Sequence, residues 1–560
     1  MKTLTPCISV CLLTLGLFAL PSHGQSHPEE VEHLVSEYQQ ARVGLALEPV
    51  KCGFPALAGL HAASRSNAAW QALWQTAGSR PSLPQSYVTA DGKFRFHYTT
   101  SGPNAVSPVS TNPAGVPDFV YEAGVAAQQA HRLLVEELGM RPPPGDNGQD
   151  GAEYDFYLLE LGNLYGDTNP EFTGGSGPSF IRLDNDYGPA FFSRGLDGLR
   201  VTVAHEYFHA VQLGYLYRGE DIFFFEMSST WFEELAHPDV NDYFQYLRYW
   251  FRNPQLPLYA TGNYHEYGSA IWLHYLTKRL QPGVIREFWE RILREPAIAA
   301  LQSVLGAGNH PLTFGQAMQE FCSWNYFTQE RADTDLYYPD GEDYPRIQLK
   351  GVQTTAEDAT FTGELPPLSA HYYQFVRTAR SLQLLLQVGA DPGRWAITAI
   401  TGSPDEGFRL LTDQAMAPIM LPASTTEDTV AVVVANIGGP PAPGQAPAAE
   451  YQLQVKYGVQ AQLQSVLEKP RPNPLRLSTG KVLIFPYRLA ARERVQAAIL
   501  REDGKVIREF NLGSRSAGFH ADLAWNGRDD AGQPVGSGVY FLRFRAGALI
   551  ETAKVAVIAD

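Results

Sequence analysis

The sequence predicts a multidomain chain in which an α+β domain is followed by two β-sandwich domains. Three observations carry this reading. At 560 residues the chain is too long for one hydrophobic core. Helical periodicity interleaved with strand-like runs fills the first part, and after Tyr344 short, evenly spaced β-type runs replace it. A proline-rich stretch, Lys469-Pro470-Arg471-Pro472-Asn473-Pro474, then sets off a last β-type block. With 44% apolar and 18% charged residues the composition is that of folded, globular material.

Residues 1–24 read as an export signal, because Lys2 precedes an apolar run from Ile8 to Leu20 and then Pro21-Ser22-His23-Gly24. Cys11 raises a lipoprotein reading, but Val10 before it is too large for the usual lipobox. No later run approaches the roughly 20 apolar residues of a membrane-spanning helix, so the expected location is extracellular or at the cell surface. The net charge of −16 with no basic cluster argues against a nucleic-acid partner. Beyond the leader only Cys52 and Cys322 remain, which excludes a disulfide scaffold and permits one bridge.

Residues 25–85 form a helix-rich lead-in or pro-segment, with apolar spacing at Val31, Leu34, Val35 and Tyr38 and a turn-prone end at Arg80-Pro81-Ser82-Leu83-Pro84. The α+β domain spans 86–345. Its expected elements are a strand at Phe94–Tyr98, a helix at Val120–Leu138, strands at Tyr154–Leu161 and Ser179–Leu183, and a helix at Leu196–Leu216. Further helices follow, including Ala270–Leu280, Gly283–Leu293 and Phe314–Phe327. The first β-sandwich covers 346–465, with strands at His371–Val376, Leu382–Val388, Thr429–Ala435 and Tyr451–Tyr457 and a Pro, Gly and Ala-rich loop from Gly438 to Ala449. The second covers 470–560, with turns at Arg501–Lys505 and Asn526–Gly532.

The string that carries chemistry is Val201-Thr202-Val203-Ala204-His205-Glu206-Tyr207-Phe208-His209-Ala210-Val211. On a helix, residues i and i+4 share one face, so His205 and His209 can reach one cation. Glu206 is offset by one residue and falls beside the metal, where it can take a proton from bound water. Two histidines leave a tetrahedral zinc short of a third protein ligand. The metzincin extension would place Gly at 212 and His at 215, but the chain has Gln212 and Tyr215. Phe223-Phe224-Phe225-Glu226-Met227-Ser228-Ser229-Thr230-Trp231-Phe232-Glu233-Glu234 supplies carboxylates instead. Glu226 is the preferred third ligand. It is expected to open a helix, with the small Ser229 one turn on allowing close packing and Glu233 suited to orient a zinc-bound histidine. Glu233 or Glu234 as ligand is the rival assignment.

This arrangement resembles the gluzincin peptidases, including the alanyl aminopeptidase and leukotriene hydrolase group. Together with Arg80–Pro84, Gly115-Val116-Pro117-Asp118 and His205–Gln212, it is similar to a group of exported bacterial metallopeptidases from myxobacteria and their relatives, over roughly residues 50–330. The resemblance implies a zincin-like metallopeptidase fold for 86–345, one catalytic Zn2+, and hydrolysis of peptide bonds. The exopeptidase motif Gly-x-Met-Glu-Asn is not evident, which favours an endopeptidase. Gluzincins steady the oxyanion with a downstream Tyr or His, so Tyr267 and Tyr264, in Tyr264-His265-Glu266-Tyr267-Gly268, are the candidates, and ordinary packing explains them equally well.

Four further expectations concern the surroundings. Ser179–Leu183 is expected to be the sheet edge that pairs with substrate. Asp146–Asp150 and Asp333–Asp343 read as polar turns more readily than as calcium loops. Lys51-Cys52-Gly53-Phe54-Pro55 resembles the latency switch of matrix metallopeptidases, with a bridge to Cys322 or a buried free thiol as the other readings. Leu523–Gly532 and Gly536–Phe541 are similar to immunoglobulin-like modules of the flagellar hook-capping type, which overlap with type IX secretion sorting domains. That resemblance implies a spacer, an anchor or a sorting signal that engages export machinery. The functional expectation is a secreted zinc endopeptidase acting on peptide or protein substrates. The alternative is a non-catalytic surface adhesin with a vestigial or structural zinc site.

Overall fold

The computed structural model describes residues 28–559 apart from 173, 390, 406, 414–416, 425–427, 440–446, 460–464, 480–481, 491 and 516–517. The expected export signal over 1–24, and much of the expected loop from 438 to 449, lie outside them. The chain divides into two compact units, one ending at Tyr457 and one beginning at Gly458.

The first unit opens with three helices, α1 (Pro28–Arg42), α2 (Phe54–Ser64) and α3 (Ala68–Ala77). Val31, Val35 and Tyr38 turn the buried stripe of α1 inward, at the three- and four-residue spacing a helix requires. A five-stranded mixed sheet follows: β1 (Gln85–Val88), β2 (Phe94–Tyr98), β3 (Tyr154–Leu159), β4 (Gly166–Pro170) and β5 (Ser179–Asp184), in the order β1-β2-β3-β5-β4. β2, β3 and β5 are parallel, and β4 runs antiparallel to β5 along one edge.

This corrects the expected substrate edge. Ser179–Leu183 is interior, paired on both sides, and the edge is β4. Gly166-Asp167-Thr168-Asn169-Pro170 carries no apolar alternation, yet all five residues are buried. A buried polar strand is tolerable only if its side chains are satisfied. Arg182 satisfies them, donating to both Asp167 oxygens at 2.8 and 3.0 Å, to Asn169 Oδ1 at 3.0 Å and to Tyr38 Oη at 2.9 Å.

The chain just before α2 lies along the start of this edge. Val50 N donates to Asn163 O at 2.8 Å, Tyr165 N to Val50 O at 3.1 Å, and Gly53 N to Gly166 O at 2.9 Å. Glycine is required at 53 by the closeness of that approach: a Cβ there would stand 2.8 Å from Asp167 Cβ and 2.9 Å from Tyr38 Cε2. Gly53→Ala is therefore expected to destabilise the first unit by about 1–3 kcal/mol, the usual cost of overpacking, read as a lower denaturant midpoint.

Helix α4 (Asp118–His131) continues into a π-helical turn at Arg132–Glu137 and ends at Gly139, whose φ of 69° suits glycine. Next come α5 (Gly195–Leu213), α6 (Ile222–Ala236), α7 (Phe244–Arg252), the short α8 (His265–Gly268), α9 (Ile271–Leu280), α10 (Val284–Ile292), α11 (Ala297–Gly306) and α12 (Phe314–Trp324). Helix α6 begins four residues before Glu226, which sits within it and does not open it. The aromatic run Phe223–Phe225 is buried on every side and so belongs to the helix.

The β-rich part of this unit packs two sheets. Its strands are β6 (Gly351–Gln353), β7 (Ala359–Leu365), β8 (Ser369–Arg377), β9 (Leu382–Val388), β10 (Trp395–Ser403), β11 (Gly407–Asp413), β12 (Ile419–Leu421), β13 (Asp428–Asn436) and β14 (Ala449–Tyr457), ordered β11-β10-β13-β8-β6 and β12-β9-β14-β7. On β13, Val430, Val432 and Val434 enter the core between the sheets, while Ala431, Val433 and Ala435 join the core of the helical part. One continuous core thus runs across the boundary expected near residue 345, because these strands are buried on both faces.

In the second unit, antiparallel strands Glu493–Arg501, Val506–Arg515, Gly538–Ala546 and Leu549–Ile558 form the main sheet. Its core gathers Leu475, Tyr487, Ile499, Trp525, Leu542 and Val555. Trp525 Nε1 donates to Arg528 O at 2.8 Å, which ties the 526–532 turn to the core.

Candidate metal centre

Helix α5 presents an unusual surface, because every residue from Val201 to Leu213 is buried. A helix apolar on all sides belongs in an interior, and the polar residues it carries there need partners. His205 and His209, one turn apart, point the same way and bring their Nε2 atoms to 3.1 Å. Glu226 arrives from α6, with Oε2 3.2 Å from His205 Nε2 and Oε1 3.2 Å from His209 Nε2.

The Nδ1 atoms are committed elsewhere. His205 Nδ1 lies 2.7 Å from Glu233 Oε1, two helical turns beyond Glu226. His209 Nδ1 lies 2.8 Å from Gln212 Oε1 and 3.2 Å from Ser229 Oγ. Gln212 is oriented by its own amide, which donates to Phe225 O, Ser228 Oγ and Ser229 Oγ. Both rings are thereby set with Nδ1–H donating outward, leaving two Nε2 lone pairs and a carboxylate facing one another.

Three such donors in one place repel unless a positive charge joins them. Without a cation, a proton takes that role. Burial opposes charge on His205, but its bonds to Glu226 and Glu233 outweigh burial and push its pKa up to about 9. Burial likewise opposes ionisation of Glu226, and the two imidazoles overcome it and hold Glu226 down to about 2. The donor set of two imidazoles and one carboxylate fits zinc.

Glu206 stands beside this set. Thr168 Oγ1 on β4 donates to its Oε2 at 2.7 Å, while Oε1 is buried with no hydrogen-bond partner. Burial raises its pKa. An orphaned buried carboxylate oxygen beside a ligand set marks where a bound water or another donor belongs. Cys52 occupies that neighbourhood: its sulfur and the ligand atoms of His205, His209 and Glu226 all lie within 4.8 Å of one another.

Of the candidate oxyanion donors, Tyr267 on α8 is buried with its ring centroid 6.2 Å from that of His205. Tyr264 stands behind it, packed on Tyr246, Tyr249 and Tyr267. Glu233 faces Nδ1 of His205, opposite the ligand side. Glu234 is on the side of Asp340; burial and that carboxylate raise its pKa to about 8. Cys322 is buried and unbridged, as is Cys52. The polar turn at 146–150 is met by Arg80, which pairs with Asp146 at 2.7 Å and with Asp155 at 2.5 Å and so supplies its positive charge from within the chain.

Sequence reasoning missed Lys51, Thr168, Gln212 and Asp242. Lys51 is buried between Glu233, at 2.8 Å, and Asp242, at 2.5 Å, so the residue before Cys52 holds the carboxylate that orients His205. Gln212 had a visible signal, since it lies three residues beyond the second histidine, on the same helix face, and carries a hydrogen-bonding side chain. Glu233→Gln is expected to weaken metal binding about 10–100-fold, the usual cost of losing a partner behind a ligand histidine, measured by competition with a chromogenic chelator.

Comparison with known proteins informs the C-terminal unit. The FlgD Ig-like domain family matches residues 481–547. No curated protein sequence matches the chain. Among solved structures, PorZ of Porphyromonas gingivalis, a surface component of its type-IX secretion system, is 15% identical over 21% of this chain and 14% of its own, with a TM-score of 0.13. Latent PorU from the same bacterium is 16% identical over 38% of this chain and 19% of its own, with a TM-score of 0.18. The adhesin domain of Epf from Streptococcus pyogenes is 10% identical over 37% of this chain and 74% of its own, with a TM-score of 0.13. Likenesses at this level carry no functional argument, and the alignments span under one fifth of PorZ and of PorU. Among the described residues no helix is long and apolar enough to cross a membrane. The molecule is thus multidomain, with a helical N-terminal part and a β-rich C-terminal region that includes an immunoglobulin-like domain of the FlgD type.

Proposed function

We propose that the chain is an exported zinc-dependent metallopeptidase of the gluzincin type, an endopeptidase, with a zincin-like catalytic part over residues 86–345. The observation that carries this reading is the convergence of His205 Nε2, His209 Nε2 and Glu226 on one point, with an unpartnered oxygen of Glu206 beside it. A mixed sheet whose edge strand β4 contacts the helix bearing both histidines supports the zincin-like assignment.

His205, His209 and Glu226 hold the ion, which when bound polarises a peptide carbonyl and acidifies water. Glu206 accepts the proton of the attacking water and returns it to the leaving amine, with Thr168 fixing its other oxygen. Tyr267 is the nearer oxyanion donor and Tyr264 supports its ring. The C-terminal immunoglobulin-like domain serves as the contact with export or surface machinery.

A non-catalytic zinc site is the second reading, and Cys52 favours it, because a fourth protein donor closes the position a catalytic site keeps open. The deciding experiment loads wild type and Cys52→Ala with zinc, each with and without Glu206→Gln, and measures cleavage of a mixed peptide library. Cleavage that vanishes with Glu206→Gln supports the peptidase. Stoichiometric zinc without cleavage in any of the four proteins supports the structural site.

A further inference from the structure

We infer that Cys52 is a fourth protein ligand of the bound metal and that residues 50–54 form a built-in cover closing it to solvent and to substrate. The covered cleft takes its meaning from the metallopeptidase reading, whereas the ligand assignment stands without it.

The sulfur of Cys52 shares one cluster with the donor atoms of His205, His209 and Glu226, all within 4.8 Å of one another and all buried. Soft sulfur is a preferred zinc donor, and one thiolate, two imidazoles and one carboxylate complete four coordination. Ligation replaces the thiol proton with the ion, and the proton leaves to solvent. The Cys52 sulfur stands on the Glu206 side of the cluster, where the unpartnered Glu206 oxygen faces and where an activated water would have to sit.

The residues flanking Cys52 hold it there. Before it, the Lys51 ammonium is bound by Glu233 and Asp242 and lies 5.0 Å over the Tyr165 ring. After it, the Phe54 ring stacks on His209 with centroids 4.4 Å apart and lies 5.6 Å from Phe225. Both anchors are fully buried, so the cover is clamped from two sides.

The same segment takes up backbone groups that an incoming peptide would use. Extended substrates commonly add a strand to an exposed sheet edge. Here the edge leading into β4, beside Glu206, is already paired through Val50 and Gly53 with Asn163, Tyr165 and Gly166. One short segment therefore blocks the metal's fourth position and the start of the adjoining edge.

The test uses the full chain loaded with Co2+, whose spectrum reports both sulfur ligation and open positions. Wild type is expected to show a thiolate-to-cobalt charge-transfer band that Cys52→Ala lacks. Acetohydroxamate, a small oxygen chelator that needs an open position, should alter the visible spectrum of Cys52→Ala and leave wild type unchanged. Absence of the sulfur band, or equal hydroxamate response in both proteins, would each overturn the inference. None of these readouts involves hydrolysis. A sulfur band in a chain whose Cys52→Ala form cleaves nothing would refute the peptidase and leave the cover in place.

Discussion

In the Cys52→Ala background, Glu206→Gln is expected to retain a full equivalent of zinc and to lose peptide hydrolysis by about 10²–10⁴-fold, the span that general acid–base catalysis supplies. The two halves of this result have separate causes. Metal is retained because Glu206 is held by Thr168 on β4 and stands outside the converging donor set of His205, His209 and Glu226. Activity is lost because an amide cannot take the proton that Glu206 would accept. The substitution nearly preserves volume and keeps the Thr168 bond, so a stability change should be small. Zinc content by elemental analysis and turnover on the same sample separate the two.

The second large effect belongs to Lys51. Its replacement by Met leaves Glu233 and Asp242 buried without their cation, and breaking a buried pair by removing one partner costs about 3–5 kcal/mol. Denaturant midpoints should fall accordingly. Burial alone would raise Asp242, and Lys51 outweighs it, holding Asp242 below its ordinary 3.8. A carboxylate depressed in the folded state stabilises above its unfolded value, and that stability is lost as pH falls through the folded value. Lys51 is shifted upward by the same partners against the effect of burial, so its contribution is lost only in alkali, above its ordinary 10.5. The gap between wild type and Lys51→Met should therefore narrow as pH falls, beginning above 3.8, because Asp242 of the variant, buried without its cation, takes up a proton before that of wild type does. The metal affinity of this variant should fall as well, because Glu233 loses the ammonium that holds it toward His205.

The readable parts of this molecule are those in which chemistry follows a short period. Two histidines four apart on an apolar helix, a carboxylate on the next helix and a second carboxylate seven residues later are local patterns, and the structure gathers those side chains. β4 was invisible because its stability comes from Arg182 on the next strand and from Tyr38 on a distant helix, which no apolar alternation records. Taking Ser179–Leu183 as the edge followed from that omission. Lys51 was missed for the same reason, since its partners lie 182 and 191 residues away in the chain. Strand β10 escaped notice because Trp395–Thr401 is buried on both faces and its pattern does not alternate. The start of α6 was misplaced because a run of three phenylalanines resembles a strand until its surroundings are known.

A zinc ion held by His205, His209 and Glu226 would be visible in anomalous diffraction collected on either side of the zinc edge from crystals of wild type grown with zinc. One peak is expected at about 2.0–2.2 Å from both Nε2 atoms and from a Glu226 oxygen, and about 2.3 Å from the Cys52 sulfur. Crystals grown in zinc with no peak there, and with the Nε2 atoms still directly against Glu226, would rule that metal centre out.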